Sequence, residues 1–258
     1  MLFDTHCHLN DAQFEDDIEE VFERAREAGV THIVVPGVDV PSSERAIRLA
    51  ERFAGVYAAV GIHPESLADL SDSALDEIRA LTSHPKVVAI GEIGLDYYWD
   101  VAPRPYQQEV FAAQINLANE TGLPIIIHNR DATEDTVRMV EEAPAAVTGV
   151  MHCFTGSYET AMQCIRKGFY ISFGGPVTFK NAVNVQKTAT QIPDQSLFVE
   201  TDSPYLSPHP LRGKRNEPAR VRLVAEKLAE LRGQSVEELA AITMKNALSM
   251  FQRIGANA

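Results

Sequence analysis

The feature that most constrains this chain is a regular alternation between short, nearly continuous apolar runs and longer amphipathic stretches. Apolar runs of this kind are typical of strands that are buried on both faces, as parallel sheets require. The stretches between them repeat apolar residues at three- and four-residue steps, which predicts helices. The eight runs are Leu2–Phe3, Ile33–Val35, Val56–Ile62, Val87–Ile90, Ile125–Ile127, Val147–Met151, Phe169–Phe173 and Leu197–Val199.

Eight strands in strict alternation with helices predict an α/β protein, and we expect a closed (β/α)8 TIM barrel. An open, doubly wound sheet is the alternative. The length of 258 residues suits one barrel, and no Gly/Ser- or Pro-rich linker divides the chain, so residues 1–258 are expected to form a single domain. The segment Val236–Phe251 predicts one or two extra C-terminal helices.

The formal net charge of −13 argues against a protein that wraps long duplex nucleic acid by counterion release. The charge is uneven, however. Residues 209–222 carry five bases against one acid. This segment is either a local anion contact or a solvated loop.

The cysteines and apolar runs bear on the cellular location. Cys7, Cys153 and Cys164 show no CxxC spacing, so we expect no disulfide framework. No apolar run approaches the ~18 residues needed to span a bilayer, and Asp4 interrupts the apolar start of the chain, so neither a membrane partner nor a secretory signal is expected. We therefore expect a cytoplasmic protein with no obligate protein partner.

Side chains able to bind metal ions come at or just after the carboxyl ends of the predicted strands. In a barrel these ends converge on one face, which is where such folds carry their chemistry. A single histidine there could be structural, but the joint placement of seven such residues favours a shared metal site. The seven are His6, His8, His63, Glu92, His128, His152 and Asp202.

The pair His6 and His8 is the sharpest local motif. Side chains at i and i+2 of an extended segment point the same way, so both imidazoles can hold one cation, while Cys7 is expected to pack on the other side. Four histidines and two carboxylates exceed what one tetrahedral ion uses, so we expect two divalent ions ~3.5–4 Å apart. Their identity stays open between Mg, Mn and Zn. His63 is left over, either to bind substrate and assist proton transfer or as a structural residue.

Competing chemistries lack their motifs. No GxSxG nucleophile elbow occurs, which argues against a serine hydrolase of that type. The segment Gly91–Gly94 lacks the third glycine of a dinucleotide-binding fingerprint, and Gly213–Lys214 lacks the rest of a phosphate-binding P-loop.

These residues, in this order, closely resemble the TatD family of metal-dependent deoxyribonucleases, within the wider amidohydrolase-like barrels. The resemblance covers nearly the whole chain. It is carried by DTHCHLN (4–10), VGIHPE (60–65), GEIGLDYYW (91–99), IHNRDA (127–132), HCFTGS (152–157), GFYISFGGPVTFKNA (168–182), ETDSPYL (200–206) and RGKRNEPA (212–219).

The resemblance implies a barrel that binds two divalent cations and hydrolyses phosphodiesters, usually trimming DNA from the 3′ end. It implies that Glu92 bridges the two ions and that His63 is an active-site histidine. The remaining metal ligands it implies are His6, His8, His128, His152 and Asp202. We expect Asp202 also to accept a proton from the attacking water.

Substrate contacts are expected around this site. The candidates for binding phosphate are Arg130, Arg212, Lys214, Arg215 and Asn216. Tyr97, Tyr98, Trp99 and Phe154 either stack bases or pack at the barrel rim. Glu200 either orients a ligand or pairs with a core cation.

Three functions follow as hypotheses. The first is a two-metal phosphodiesterase acting on short, flexible or single-stranded DNA ends as a 3′–5′ exonuclease. The second keeps the metal site but cleaves an amide, ester or lactone, because a fold does not fix its substrate. The third is a metal-holding scaffold without turnover.

Overall fold

A computed structural model describes residues 1–99 and 101–256. Its centre is one eight-stranded sheet in which each strand pairs in parallel with the next strand along the chain. The strands are β1 (Leu2–Asp4), β2 (Val30–Pro36), β3 (Val56–Val60), β4 (Val87–Asp96), β5 (Ile125–Arg130), β6 (Gly149–Met151), β7 (Phe169–Phe173) and β8 (Leu197–Val199).

Backbone hydrogen bonds join the two edges of this sheet. The Thr5 amide donates to the Val199 carbonyl (3.3 Å), and the Asp202 amide donates to the His6 carbonyl (2.9 Å). The sheet therefore curls into a nearly closed barrel. The predicted TIM barrel is confirmed, and the open doubly wound sheet is wrong.

Helices follow the strands around the barrel, as the amphipathic periods predict. They are α1 (Ile18–Glu27), α2 (Val40–Arg52), α3 (Ala74–Leu81), α4 (Arg104–Thr121), α5 (Thr133–Glu142), α6 (Tyr158–Arg166), α7 (Val183–Gln191), α8 (Val221–Arg232), α9 (Val236–Met250) and α10 (Arg253–Ala256). Local sequence sets several of their ends. Ser235 and Glu238 form a capping box that starts α9, and Gly233 ends α8 with a φ of 65°.

Strands β4 and β5 are longer than the sequence predicted. Glu92 was expected to follow the fourth strand, but it lies inside β4, because pairing resumes after a register shift and aligns Ile93 with Ile127 and Gly94 with His128. Glu92 is consequently buried within the barrel instead of standing at its rim.

The amino end of the barrel is closed by apolar side chains. Phe3 and Phe198 meet Phe251, which follows α9, at ring-centroid distances of 5.9 and 6.2 Å. All three are fully buried. The extra C-terminal helices predicted from the sequence therefore cover this end, and polar chemistry is left to the carboxyl end.

Within residues 1–99 and 101–256, no helix is long and apolar enough to cross a membrane. The single domain over residues 1–258 and the cytoplasmic location stay predictions.

The closure at the amino end generates a test. Truncating Phe251 to alanine removes a fully buried ring, so we expect the free energy of unfolding to fall by about 3–5 kcal/mol. Leu248→Ala, at an exposed position on α9, should change it by less than about 1 kcal/mol. Urea unfolding monitored by circular dichroism measures both. Equal losses in the two variants would show that Phe251 does not close the barrel.

Candidate metal centre

The carboxylate of Glu92 is surrounded by imidazoles. On one side its Oε1 lies 2.9 Å from Nε2 of His152 and 3.0 Å from Nδ1 of His128. Nε2 of His63 is 3.4 Å from the same oxygen. These three histidines follow, or lie in, β3, β5 and β6, so the barrel brings together residues that are far apart in the sequence.

The other oxygen of Glu92 faces a second group. Its Oε2 lies 3.2 Å from Nε2 of His6 and 3.3 Å from Nε2 of His8. These two nitrogens are 3.0 Å apart. Oδ1 of Asp202 approaches the same pair at 3.7 and 3.6 Å. One carboxylate thus separates two clusters of donor atoms.

The extended segment after β1 presents His6 and His8 on the same side, as their i, i+2 spacing predicts. Cys7 between them is fully buried, and its backbone pairs with Ser203 in a parallel bridge. Burial raises the pKa of the Cys7 thiol well above its usual value, which disfavours the thiolate that a metal would need.

Two further acids hold the imidazoles in place. Oδ2 of Asp96 lies 2.9 Å from Nε2 of His128, so Nδ1 of that ring is directed at Glu92. Oε1 of Glu200 lies 3.3 Å from Nδ1 of His152 and accepts a hydrogen bond from the Cys153 amide (2.6 Å). Carboxylates behind ligating histidines commonly fix ring orientation and raise ligand basicity.

Of these two acids, the sequence analysis named only Glu200, with orienting a metal ligand as one of two possible roles. Asp96 was missed as a contributor, although it lies within the GEIGLDYYW motif. Its separation of four residues from Glu92 on one strand was the available signal, because residues at even spacing share a face.

The donor atoms fit metal ions in type and spacing. Imidazole nitrogen with carboxylate oxygen suits zinc, manganese, iron and nickel. Donors that share an ion at ~2.0–2.2 Å lie roughly 3.0–3.5 Å from one another. The distances around His6, His8 and Glu92 are 3.0, 3.2 and 3.3 Å, and the described residues also group His63, Glu92 and His128 as possible ligands. The cluster is therefore suited to binding metal.

Charge is strongly coupled across the cluster. Burial would raise the pKa of Glu92, but the histidines around it, His152 first, hold that pKa well below its usual range. Burial would lower the pKa of His8, but the hydrogen bonds that its ring donates to the carboxylates of Asp202 and Glu92 raise this pKa to about 9. Without a metal ion, protons on the imidazole nitrogens balance the negative charge that bound cations would otherwise balance.

His63 differs from the other histidines. Its Nδ1 accepts a hydrogen bond from the Glu65 amide (3.1 Å), which leaves its ring proton on Nε2, facing Glu92. Burial lowers the pKa of His63 to about 4, so the ring is neutral at pH 7. In this tautomer Nε2–H donates a hydrogen bond, and Nε2 would have to lose its proton to join Glu92 and His128 as a metal ligand.

The centre opens into a pocket of about 850 Å³ at the carboxyl end of the barrel. The lining includes His8, His63, Glu92 and Asp202, together with Arg130 and Trp99. Of the residues predicted to bind phosphate, Arg130 is the one that lines this pocket among the described residues.

The segment after β8 corrects part of the sequence expectation. Arg215 forms hydrogen bonds of 2.8 and 2.5 Å to the carboxylate of Asp17 instead of facing the pocket. Asn216 is fully buried, and its amide donates to the Thr201 and Tyr205 carbonyls, both at 2.8 Å. Because their polar atoms already have partners, neither side chain is free to bind phosphate.

Two other bases of this segment also lie away from the lining. Arg212 is exposed and packs over the ring of Phe179 at 4.1 Å, and Lys214 is exposed. They remain solvent-facing cations of the loop.

Comparisons with known proteins identify the family of this chain. A family model described as "TatD related DNase" matches residues 3–252. The chain is 54% identical to the uncharacterized metal-dependent hydrolase YabD of Bacillus subtilis, covering 98% of this chain and 99% of that protein. It is 35% identical to a Salmonella typhimurium protein named 3′-5′ ssDNA/RNA exonuclease TatD, covering 97% of this chain and 99% of the relative.

Among solved structures, the fold matches that of YjjV, a TatD homologue from Escherichia coli K12, with a TM-score of 0.92 and 34% identity. The match covers 97% of this chain and 98% of the other. The family model matches nearly all of this chain, and each of these relatives is matched over almost the full length of both proteins. This chain belongs to the TatD family of metal-dependent hydrolases.

Proposed function

We propose that this protein is a divalent-metal-dependent phosphodiester hydrolase that trims DNA ends in the 3′–5′ direction. The observation that carries the proposal is the division of donor atoms around Glu92, whose two carboxylate oxygens face two different groups of imidazoles. A bridging carboxylate between two such groups is typical of two-metal hydrolytic sites.

The ligand sets follow from that division. His6, His8 and Asp202 would hold one ion, His128 and His152 the other, and Glu92 would bridge them. When bound, such cations polarise a phosphate and bring the pKa of a coordinated water toward neutrality. Mg, Mn and Zn are all compatible with these donors.

The residues of the chain would divide the remaining work. Asp202 lines the pocket next to His8 and is the group best placed to accept a proton from the attacking water. The Nε2–H of His63 would donate to a phosphate or leaving oxygen. Arg130 offers guanidinium N–H groups in the pocket, which suit a non-bridging phosphate oxygen.

Two observations support DNA ends as the substrate. A family member is named a 3′-5′ ssDNA/RNA exonuclease. The net charge of −13 disfavours extended contact with duplex, whereas a pocket lined by Arg130, which forms no ion pair with the described residues, can take a short single strand.

Metal binding should depend on pH. Because metal binds neutral imidazole and the pKa of His8 in the metal-free site is about 9, at least one proton must leave when an ion binds at pH 7. We expect the affinity for Mn²⁺ to rise by at least about tenfold per pH unit between pH 6 and 8. Isothermal titration calorimetry in buffers of different ionisation enthalpy measures both the affinity and the protons released.

A matched pair of variants tests whether the pH dependence comes from the histidines of this centre. His84→Gln changes a histidine outside the centre and should leave the pH slope unchanged, whereas His8→Ala should flatten it. A Mn²⁺ affinity that does not change with pH in the wild-type protein would contradict the predicted release of protons on metal binding.

The function itself is tested with single- and double-stranded DNA labelled at either end. We expect progressive shortening from the 3′ end that stops in strong chelator and returns with added Mg²⁺ or Mn²⁺. Arg130→Gln removes a charged hydrogen bond between the guanidinium and the substrate phosphate. Because hydrogen bonds to charged groups are strong, we expect this variant to raise KM roughly 10- to 100-fold. Gel electrophoresis of the products and initial rates give both results.

Lys214→Gln is the matched control, because Lys214 is an exposed cation outside the pocket lining. We expect this variant to have the same KM as the wild-type protein. Full activity in chelator would refute a metal-dependent mechanism. Hydrolysis of lactones or esters with no action on DNA would instead support the amidohydrolase-type alternative.

A further inference from the structure

Three large aromatic side chains are exposed at or beside the pocket. Tyr205, which is 51% exposed, donates its hydroxyl to Asp11 (3.1 Å), and the other two are neighbours in the sequence. Tyr98 and Trp99 follow β4 at the carboxyl end of the barrel, and each is 54% exposed. Trp99 is also part of the pocket lining. Burying an aromatic ring is normally favourable, so exposed rings at the mouth of a pocket point to a ligand that covers them.

Arg130 lies over these rings. Its guanidinium carbon is 3.8 Å from the centroid of Tyr98 and 5.4 Å from that of Trp99, and the two rings meet edge to face at 5.0 Å. Within residues 1–99 and 101–256 its guanidinium forms no ion pair, unlike that of Arg215. The Tyr98 ring therefore orients a cation whose N–H groups are available to an anion.

Asp96 connects this rim to the metal centre. Its Oδ1 accepts hydrogen bonds from the amides of Tyr98 (3.0 Å) and Trp99 (3.1 Å), while its Oδ2 contacts Nε2 of His128. Arg130 lies two residues after His128 on β5, which places both side chains on one face of the strand. The rings, the cation and a ligand imidazole are thus held in one arrangement.

The other candidate aromatics are not available for stacking. Tyr97 donates its hydroxyl to Asp135 (2.8 Å), and Arg104 lies over its ring at 4.4 Å. Phe154 is buried in the core. Of the four aromatics singled out in the sequence, Tyr98 and Trp99 alone present exposed rings.

We propose that Trp99 is a nucleobase-stacking subsite and that Arg130, oriented by Tyr98, binds the phosphate of the same nucleotide. The inference rests on the proposed function and narrows its substrate to chains whose terminal base is unpaired. Stacking on an indole tolerates every base, because each has a π face, so the subsite selects unpaired over paired ends and not sequence.

Trp99 is the only tryptophan of the chain, so its fluorescence reports this subsite directly. We would titrate the metal-loaded protein with deoxyadenosine 5′-monophosphate and with deoxyribose 5-phosphate. Neither contains a phosphodiester bond, so turnover does not interfere. Saturable quenching by the nucleotide with none by the sugar phosphate is the expected result, whereas equal responses, or no response to the nucleotide, overturn the proposal.

Variants provide a second readout by calorimetry. Trp99→Ala should weaken binding of the nucleotide roughly 5- to 100-fold, the usual worth of one base stacked on an aromatic ring, and leave the sugar phosphate unaffected. Trp99→Phe should keep most of the affinity. Tyr106→Ala removes another exposed aromatic that lies outside the pocket lining and should change neither. Metal content measured on each variant verifies that the centre is intact.

The outcomes separate this inference from the proposed function. Base-dependent quenching in a protein that does not cleave DNA would uphold the subsite and refute the nuclease. Cleavage of DNA with no loss of nucleotide affinity in Trp99→Ala would uphold the nuclease and refute the subsite.

Discussion

The buried carboxylate of Glu92 is the constraint on which the rest of the site depends. An isolated charge at the centre of a barrel would be costly, since burial removes it from water without compensation. Here imidazole nitrogens approach both of its oxygens within 3.4 Å, so the charge is balanced by protons or by cations. Because protons and metal ions would compete for the same nitrogens, we expect metal binding by this cluster to depend on pH. Glu92 occupies this position because pairing between β4 and β5 continues beyond the apolar part of both strands.

The two ends of the barrel have different tasks. Phe3, Phe198 and Phe251 fill the amino end with packed rings. At the carboxyl end, Asp96 and Glu200 bond to the outer nitrogens of His128 and His152. Ligands that are oriented in advance lose little entropy when they bind a substrate or an ion. Asp96 uses one carboxylate oxygen to orient the imidazole of His128 and the other to hold the backbone of Tyr98 and Trp99.

Much of this arrangement could be predicted from the sequence, because its signals are local. Short, nearly continuous apolar runs predicted the strands, and the spacing of His6 and His8 predicted two imidazoles on one side. The sequence could not predict how the segment after β8 folds, since that depends on contacts across the chain. Arg215 pairs with Asp17 from the segment before α1, and Asn216 bonds to backbone carbonyls inside its own loop. Two of the residues expected to bind phosphate therefore hold the loop, while Arg212 and Lys214 are exposed. The sequence also could not predict that Tyr98 and Trp99 are the exposed rings, because only the structure distinguishes the exposed Trp99 from the buried Phe154.

The central claim is that one carboxylate joins two ions in a single centre, and electron paramagnetic resonance of the Mn²⁺-loaded protein tests it most directly. Two ions bridged by Glu92 should be exchange-coupled, so protein with two equivalents of Mn²⁺ should show the multiline spectrum of a coupled pair. Glu92→Gln, which keeps the shape of the side chain but removes its charge, should abolish that spectrum. A simple six-line signal from isolated Mn²⁺ in the wild-type protein at full occupancy would contradict the account.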